Sequence, residues 1–177
     1  MTKTVVVYHS GYGHTQRVAQ FVAEGAKATL IAIDADGNIT DAEWETLDAA
    51  DAIIFGSPTY MGMASWQFKK FADASSKRWF SGAWKDKVAG GFTISAGLSG
   101  DKLSTIQYFM TLAMQQGMIW AGQPLQGDGN INRIGSYSGL MAQVGPTSPA
   151  ADIPQGDLDT AKSYGERVAK VAAKLHA

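Results

Sequence analysis

Short apolar runs alternate with longer stretches of helical spacing along most of the chain. The apolar runs occupy residues 4–8, 29–33, 52–56, 88–95 and 118–122, and none of them alternates apolar with polar positions. Unbroken apolar runs of this length are typical of parallel strands that are covered on both faces. The sequence therefore predicts five buried strands.

The stretches between these runs carry apolar residues three or four positions apart, which predicts amphipathic helices. Their stripes include Val18, Val22 and Ala26 within residues 15–27, Leu103, Ile106, Met110 and Ala113, and a last stripe over about residues 158–175. Strands that alternate with helices through right-handed crossovers form an open parallel sheet with helices on both faces. A chain of 177 residues is long enough for one such domain, over residues 1–177.

Residues 123–156 interrupt this alternation with a stretch rich in glycine, proline and serine. Connections of this length in compact domains are usually functional or disordered. The stretch is therefore predicted to be a loop at the active site or at a subunit contact.

The tryptophans Trp44, Trp66, Trp84 and Trp120 are expected to pack in the core, because large aromatic side chains dominate cores.

Charge and composition exclude several classes of function. A net charge of −1 provides no basic field for nucleic acid or for a lipid surface. The absence of cysteine excludes thiol catalysis, thiolate metal sites and disulfides. No window approaches the roughly 20 apolar residues of a membrane span, and we expect a cytoplasmic protein.

The loop after the first strand reads "YHSGYGHT" at residues 8–15 and has the character of an anion site. Ligands of open parallel sheets bind beyond the carboxyl ends of the strands, where this loop lies. Gly11 and Gly13 allow consecutive N–H groups to converge, the next helix adds the positive end of its dipole, and Ser10 and Thr15 add hydroxyls. Such a nest of neutral donors suits a phosphate monoester that anchors a ligand and does not react.

Three other interpretations of this loop fit less well. A Walker loop requires a lysine where the chain has His14, and a dinucleotide fingerprint requires a third glycine where it has Gln16. Asp34, at the end of the second strand, is the one feature that favours the dinucleotide fingerprint. His9 and His14 do not have the spacing of a helical metal-ligand pair, and no carboxylate stands beside them. We predict no metal site.

Two further strand ends carry loops of similar character. The third strand is followed by Pro58, Thr59, Tyr60 and Met61, and the fourth by the small residues of "SAGLSGDK" at 95–102. Because the carboxyl ends of parallel strands meet at one edge of the sheet, all three loops converge there. Together they predict a ligand with an anionic tail and a planar, hydrogen-bonding head.

These stretches, with "RWFSGAWKDKVAGGFTISAG" and "QQGMIWAG", give the chain a family resemblance over nearly its whole length. It resembles the flavodoxin-like, FMN-dependent NAD(P)H:quinone oxidoreductases of the tryptophan-repressor-binding-protein type. The resemblance implies a doubly wound, five-stranded parallel sheet of order 2-1-3-4-5. It also implies three groups of FMN contacts. These are Ser10, Gly11, Tyr12, Gly13, His14 and Thr15 at the phosphate, Pro58, Thr59, Tyr60 and Met61 at the isoalloxazine, and Ser95, Ala96, Gly97, Leu98, Ser99 and Gly100 at the pyrimidine side.

The same resemblance implies the reaction and the assembly. FMN would carry the chemistry without a catalytic side chain, accepting a hydride from NAD(P)H and passing two electrons to a quinone-like acceptor in a ping-pong cycle. Tyr12 would lie near the nicotinamide, and Trp79 would reach the flavin pocket of a neighbouring subunit in a homodimer or homotetramer. Packing within its own chain is the competing interpretation of Trp79.

The chain departs from the family at Gln115 and Gln116, where its members usually carry two histidines. Gln116 can donate a hydrogen bond to a quinone oxygen but cannot deliver a proton. Two alternative functions remain open at this point. They are an electron carrier of the flavodoxin type, and an FMN-binding sensor or scaffold without turnover.

Overall fold

The computed structural model describes residues 2–177, and its strands and helices alternate along the chain. The elements are β1 (Thr4–Tyr8), α1 (His14–Ala26), β2 (Thr29–Ala32), α2 (Asp41–Asp48), β3 (Ala52–Tyr60), β4 (Met63–Ala64), α3 (Trp66–Ala74), α4 (Ser76–Ser81), β5 (Val88–Ser95), α5 (Lys102–Gln115), β6 (Ile119–Trp120), β7 (Leu140–Gln143), a 3-10 turn (Ala150–Asp152) and α6 (Gln155–Leu175).

One sheet holds these strands in the order β2-β1-β3-β5-β6. The strands on this path are parallel, and β4 pairs antiparallel with the end of β3 as a short hairpin. β6 pairs with Val88 and Ala89 of β5, whereas β7 pairs with Phe92 to Ser95 of the same strand. β6 and β7 are thus two pieces of one fifth strand, and the predicted order 2-1-3-4-5 is confirmed.

The prediction that residues 123–156 form a loop throughout is wrong for residues 140–143, which form β7. The sequence signal for this piece is weak because only four residues are extended, and they begin 20 positions after β6 ends. A second difference is that β3 extends to Tyr60, beyond the predicted apolar run. Both extra pieces lie at the carboxyl edge of the sheet and shape the site there.

The break in the fifth strand is closed by the Tyr164 side chain of α6. The N–H of Gly91 donates to Tyr164 Oη at 3.0 Å, and the Tyr164 hydroxyl donates to the carbonyl of Ala121 at 2.7 Å. Tyr164 is fully buried. One hydroxyl therefore satisfies two backbone groups that a continuous strand would have paired with each other.

Each face of the sheet is covered by its own core. Val6 and Tyr8 of β1 pack with α1 and α6, whereas Val5 and Val7 pack with α2, α3 and α5. Every position of the strand is therefore buried, which explains the unbroken apolar runs. The second core is aromatic, and it includes Phe55, Phe68, Phe71, Phe109, Trp44 and Trp84.

Three predicted core positions are wrong. Leu103 is 50% exposed, Trp66 is 61% exposed, and Leu175 of the last stripe is 47% exposed. Leu103 and Trp66 lie in the first turn of a helix and Leu175 is the last residue of α6, so all three lie at helix ends. The predicted burial of Trp44 and Trp84 is confirmed.

We predict that Tyr164→Phe lowers the free energy of unfolding by about 1–3 kcal/mol, because it leaves a buried N–H and a buried carbonyl without their partner. Denaturant unfolding followed by circular dichroism measures this loss. Tyr137→Phe is the matched control, since Tyr137 is 53% exposed. Equal stability of the two variants would contradict the role assigned to Tyr164.

Candidate functional site

A cavity of about 210 Å³ opens at the carboxyl edge of the sheet, at the ends of β1, β3 and β5. It is lined from four places in the chain. The lining residues are Tyr12, His14 and Thr15, then Pro58, Thr59 and Tyr60, then Ile94, Ser95 and Ala96, and finally Val144 and Pro146. Loops distant in sequence thus meet around one opening, as expected at the switch point of a doubly wound sheet.

The first loop presents a row of unpaired backbone amides. Within residues 2–177, the N–H groups of residues 11–15 donate no hydrogen bond to a protein acceptor. The next amide, of Gln16, donates to Ser10 Oγ at 3.2 Å, and that of Arg17 donates to the Gly13 carbonyl at 3.0 Å. Gly13 has φ of 84°, a conformation that glycine adopts without strain. This row and the start of α1 form a nest for an anion.

Two tyrosines form the aromatic wall of the cavity. Tyr12 and Tyr60 pack edge to face with ring centroids 6.3 Å apart, and Tyr12 is 77% exposed. A Cβ atom at residue 11 would lie 2.7 Å from Tyr60 Oη, so Gly11 makes room for this ring. Partial burial raises the pKa of Tyr60, and the neighbouring Tyr12 adds to the effect. The Tyr60 side chain is therefore neutral at physiological pH, and its ring offers apolar surface to the cavity.

His14 joins the first loop to the segment after β7. Its Nε2 lies 2.7 Å from the carbonyl oxygen of Ser148, and because a carbonyl only accepts, Nε2 carries the hydrogen. Val144 and Pro146 of the same segment line the cavity. Neither residue was predicted as a site residue, although the surrounding loop was predicted to be functional. No local motif marks them, and β7 alone carries them to the cavity.

Buried hydroxyl groups support the floor of the cavity. Thr59 Oγ1 lies 2.8 Å from both Thr93 Oγ1 and Thr105 Oγ1. At the end of β1, His9 Nδ1 lies 2.9 Å from the Oγ of Ser65, the residue before α3. Burial lowers the pKa of His9. These bonds hold the ends of β1, β3 and β5 together beneath the loops. The sequence did not reveal the threonine cluster, because its members are up to 46 positions apart.

The third loop, residues 95–100, is held from its inner side by a buried cation. Lys102 Nζ donates to Ser95 Oγ and to the carbonyls of Gly97 and Leu98. The Lys102 side chain is fully buried, and burial lowers its pKa to about 8. The Asp157 carboxylate opposes this shift and the Arg133 guanidinium adds to it. The loop itself is exposed from residue 96 to 99.

The structure brings together eight of the predicted site residues in one cavity and leaves the others around or away from it. The eight are Tyr12, His14, Thr15, Pro58, Thr59, Tyr60, Ser95 and Ala96. Ser10, Gly11 and Gly13 belong to the adjoining nest, and Gly97 and Gly100 to the third loop. Leu98 and Ser99 line a neighbouring cleft, and Met61 projects fully exposed from the turn between β3 and β4.

Trp79 and Gln116 do not reach this cavity within one chain. They lie on or after helices that lead into β5 and β6, at the amino edge of the sheet. Trp79 is 48% exposed beside Phe80, which is 86% exposed. Gln116 is buried, and its Nε2 donates to Ser75 Oγ at 2.8 Å and to the Ser75 carbonyl at 3.3 Å. A contact of either residue with a flavin requires a second subunit, and their predicted roles stay predictions.

The geometry of the cavity fits a flavin mononucleotide. Unpaired amides suit the phosphate, the tyrosine wall suits a planar ring, and the small third loop exposes further main chain to its polar edge. Residues 5–125 match the family model of the NADPH-dependent FMN reductases. The chain belongs to this family.

Relatives along the full length agree with this membership of the FMN reductase family. The chain is 51% identical to flavodoxin FldP of Pseudomonas aeruginosa, over 100% of both chains. It is 35% identical to an NAD(P)H dehydrogenase (quinone) of Geobacter sulfurreducens, over 97% of this chain and 98% of the relative. A flavodoxin, WrbA-like protein from Agrobacterium tumefaciens has a crystal structure that superposes with a TM-score of 0.84 at 57% identity, covering 98% and 99% of the two chains.

The family confirms the predicted flavodoxin-like fold, the cofactor FMN and the reductant NAD(P)H. Membership of this family makes the chain an oxidoreductase.

No helix among residues 2–177 is long and apolar enough to cross a membrane.

The buried lysine gives a prediction on stability against pH. The pKa of Lys102 is about 8 in the folded chain and 10.5 in the unfolded chain, so between these values the unfolded state binds more protons. The free energy of unfolding of the wild type, minus that of Lys102→Gln, should therefore rise by about 1–3 kcal/mol as the pH goes from 8 to 10.5. Urea titrations of both proteins measure the difference, and a constant or falling difference would contradict the assigned burial.

Proposed function

We propose that the protein is an FMN-dependent NAD(P)H:quinone oxidoreductase whose cofactor lies in the cavity at the carboxyl edge of the sheet. The observation that carries the proposal is the row of unpaired amides at residues 11–15, which opens directly beside the tyrosine wall. A phosphate bound in that nest would place an attached ring against Tyr12 and Tyr60. The reductase relatives of the chain support the choice of reaction.

Each group of residues has a separate task in this proposal. The first loop, Ser10 to Thr15, binds the phosphate; Pro58 to Met61 border the isoalloxazine; and Ser95 to Gly100 face its pyrimidine end. FMN, when bound, supplies the redox chemistry, taking a hydride from NAD(P)H and passing two electrons to a quinone-like acceptor. The protein binds, orients and stabilises charge, and it uses no side-chain nucleophile.

The nicotinamide and the acceptor would use one open face in turn. Tyr12 and Met61 are both exposed beside the cavity, and they offer a flat ring and a soft apolar side chain. A single shared face requires that the oxidised nicotinamide leaves before the acceptor binds. The expected kinetics are therefore ping-pong, with parallel lines in double-reciprocal plots.

We predict that Thr15→Val weakens FMN binding at least about tenfold, because a charge-assisted hydrogen bond is worth roughly 1.5–3 kcal/mol. Thr15 is buried at the start of α1, and valine keeps its shape. Retention of flavin absorbance after desalting and a fluorescence titration measure the effect. Thr111→Val, at an exposed position of α5, is the matched control. Identical affinities would place the phosphate elsewhere.

A second candidate function is an electron carrier, and the 51% identity to a flavodoxin over the whole chain favours it. Carriers dock through a strongly charged surface, whereas this chain has 16 acidic and 15 basic residues.

Steady oxidation of NADH or NADPH with benzoquinone supports the reductase. Tight FMN without such turnover, but with rapid electron exchange with a reductase partner, supports the carrier. An FMN-bound protein inactive in both assays would be a sensor or scaffold.

In the same proposal, the exposed side chains of Trp79 and Phe80 form part of the contact between subunits. We predict a homodimer or homotetramer that Trp79→Ala shifts toward smaller species, because burial of an exposed tryptophan stabilises an interface. Light scattering after size exclusion measures the masses. Leu175→Ala, which also shortens an exposed apolar side chain, is the control. A wild type that is monomeric at micromolar concentration would contradict the proposed contact.

A further inference from the structure

Lys102 is a buried cation whose acceptors are all neutral. It is fully buried, and no carboxylate among residues 2–177 lies within ion-pair distance of its ammonium group. Its acceptors are the Ser95 hydroxyl, at 3.0 Å, and the carbonyls of Gly97 and Leu98. Burial of a charge costs free energy unless it gains compensating bonds. The bonds that compensate here all belong to the third loop.

Gln143 holds the same loop from the neighbouring strand. Its Nε2 donates to the Ala96 carbonyl at 2.8 Å, and its Oε1 accepts from Arg133 Nη2 at 3.0 Å. The backbone N–H of Gln143 donates to Asp157 Oδ2, and that carboxylate forms a buried ion pair with Arg133. Arg133 and Asp157 of α6 therefore fix Gln143 and its donor group in place.

These bonds determine which way the peptide units of the loop face. Three consecutive carbonyls, of residues 96, 97 and 98, point inward to Gln143 and Lys102. In a trans peptide the N–H of the next residue points opposite to the carbonyl. The N–H groups of residues 97, 98 and 99 therefore point away from the two side chains. They have no protein acceptor within residues 2–177, and the outer side of the loop is exposed.

We propose that Lys102, assisted by Gln143, is a positioning residue that aims these three amides at the pyrimidine end of FMN and favours binding of the reduced, anionic cofactor over the oxidised one. The inference rests on the proposed location of FMN. Reduction by hydride adds two electrons and one proton, so one negative charge is added at the ring. Fixed amides with a cation behind them stabilise such a charge without reorganising.

Lys102→Gln is the principal test, because glutamine removes the charge and keeps one donor group. The measurement is an anaerobic redox titration with chemical or photochemical reduction, together with the dissociation constant of oxidised FMN. We expect the ratio of the dissociation constants of reduced and oxidised FMN to rise about tenfold, which lowers the midpoint potential of the two-electron couple by about 30 mV.

Lys87→Gln is the matched control. Lys87 is also buried, and its Nζ donates to three carbonyls, but these belong to residues 47, 48 and 50 at the amino edge of the sheet. Its loss removes the same charge and comparable bonds far from the cavity. The control should leave the ratio of dissociation constants unchanged, and an equal shift in both variants would overturn the inference.

Gln143→Leu provides an independent variant that leaves the charge of Lys102 in place and frees the Ala96 carbonyl. We expect a rise of about threefold in the same ratio, and this variant decides the question if Lys102→Gln does not fold. An unchanged ratio in the folded variants overturns the inference even where NAD(P)H turnover persists. Because the reduction is chemical, absence of NAD(P)H turnover would contradict the proposed reaction and leave this test intact.

Discussion

Main-chain amides without partners are the constraint around which the carboxyl edge of this structure is built. A parallel sheet pairs its backbone groups along the strands, but the loops that leave the strands have no such partners. In the first loop the amides of residues 11–15 remain unpaired, and in the third loop those of residues 97–99 do. In the proposed function, an anionic ligand with a polar ring would accept hydrogen bonds from both sets.

The loops keep this arrangement because buried polar side chains hold them from below. His14 binds the segment after β7, the three threonines join β3, β5 and α5, and Lys102 binds the inner carbonyls of the third loop. Preorganised dipoles of this kind contribute more than flexible ones, since they need no rearrangement when charge develops. β7 and the residues after it bring Gln143 to the third loop and Val144 and Pro146 to the cavity.

The two edges of the sheet have different characters. The carboxyl edge carries the cavity and its exposed tyrosine, whereas the amino edge carries the exposed pair Trp79 and Phe80 and the buried amide of Gln116. Apolar residues at an otherwise solvated edge are typical of interfaces between subunits. In a dimer or tetramer, the amino edge of one subunit would contact the carboxyl edge of another. Within a single chain the two edges lie at opposite ends of the strands.

Local patterns in the sequence determined the parallel sheet and the anion-binding first loop, and the family resemblance implied the order of the strands and the flavin cofactor. The apolar runs reveal strands buried on both faces, and the glycines of "YHSGYGHT" reveal a backbone that turns inward, because both signals lie within a few consecutive residues. Tertiary structure alone decided the split of the fifth strand, the threonine cluster and the inward bonds of Lys102. The split strand and the threonine cluster depend on partners that are distant in sequence, such as Tyr164 for Gly91 or Thr105 for Thr59. The bonds of Lys102 join residues close in sequence, but a lysine within "SGDK" has the local pattern of a solvated side chain, and only the folded loop shows that it is buried.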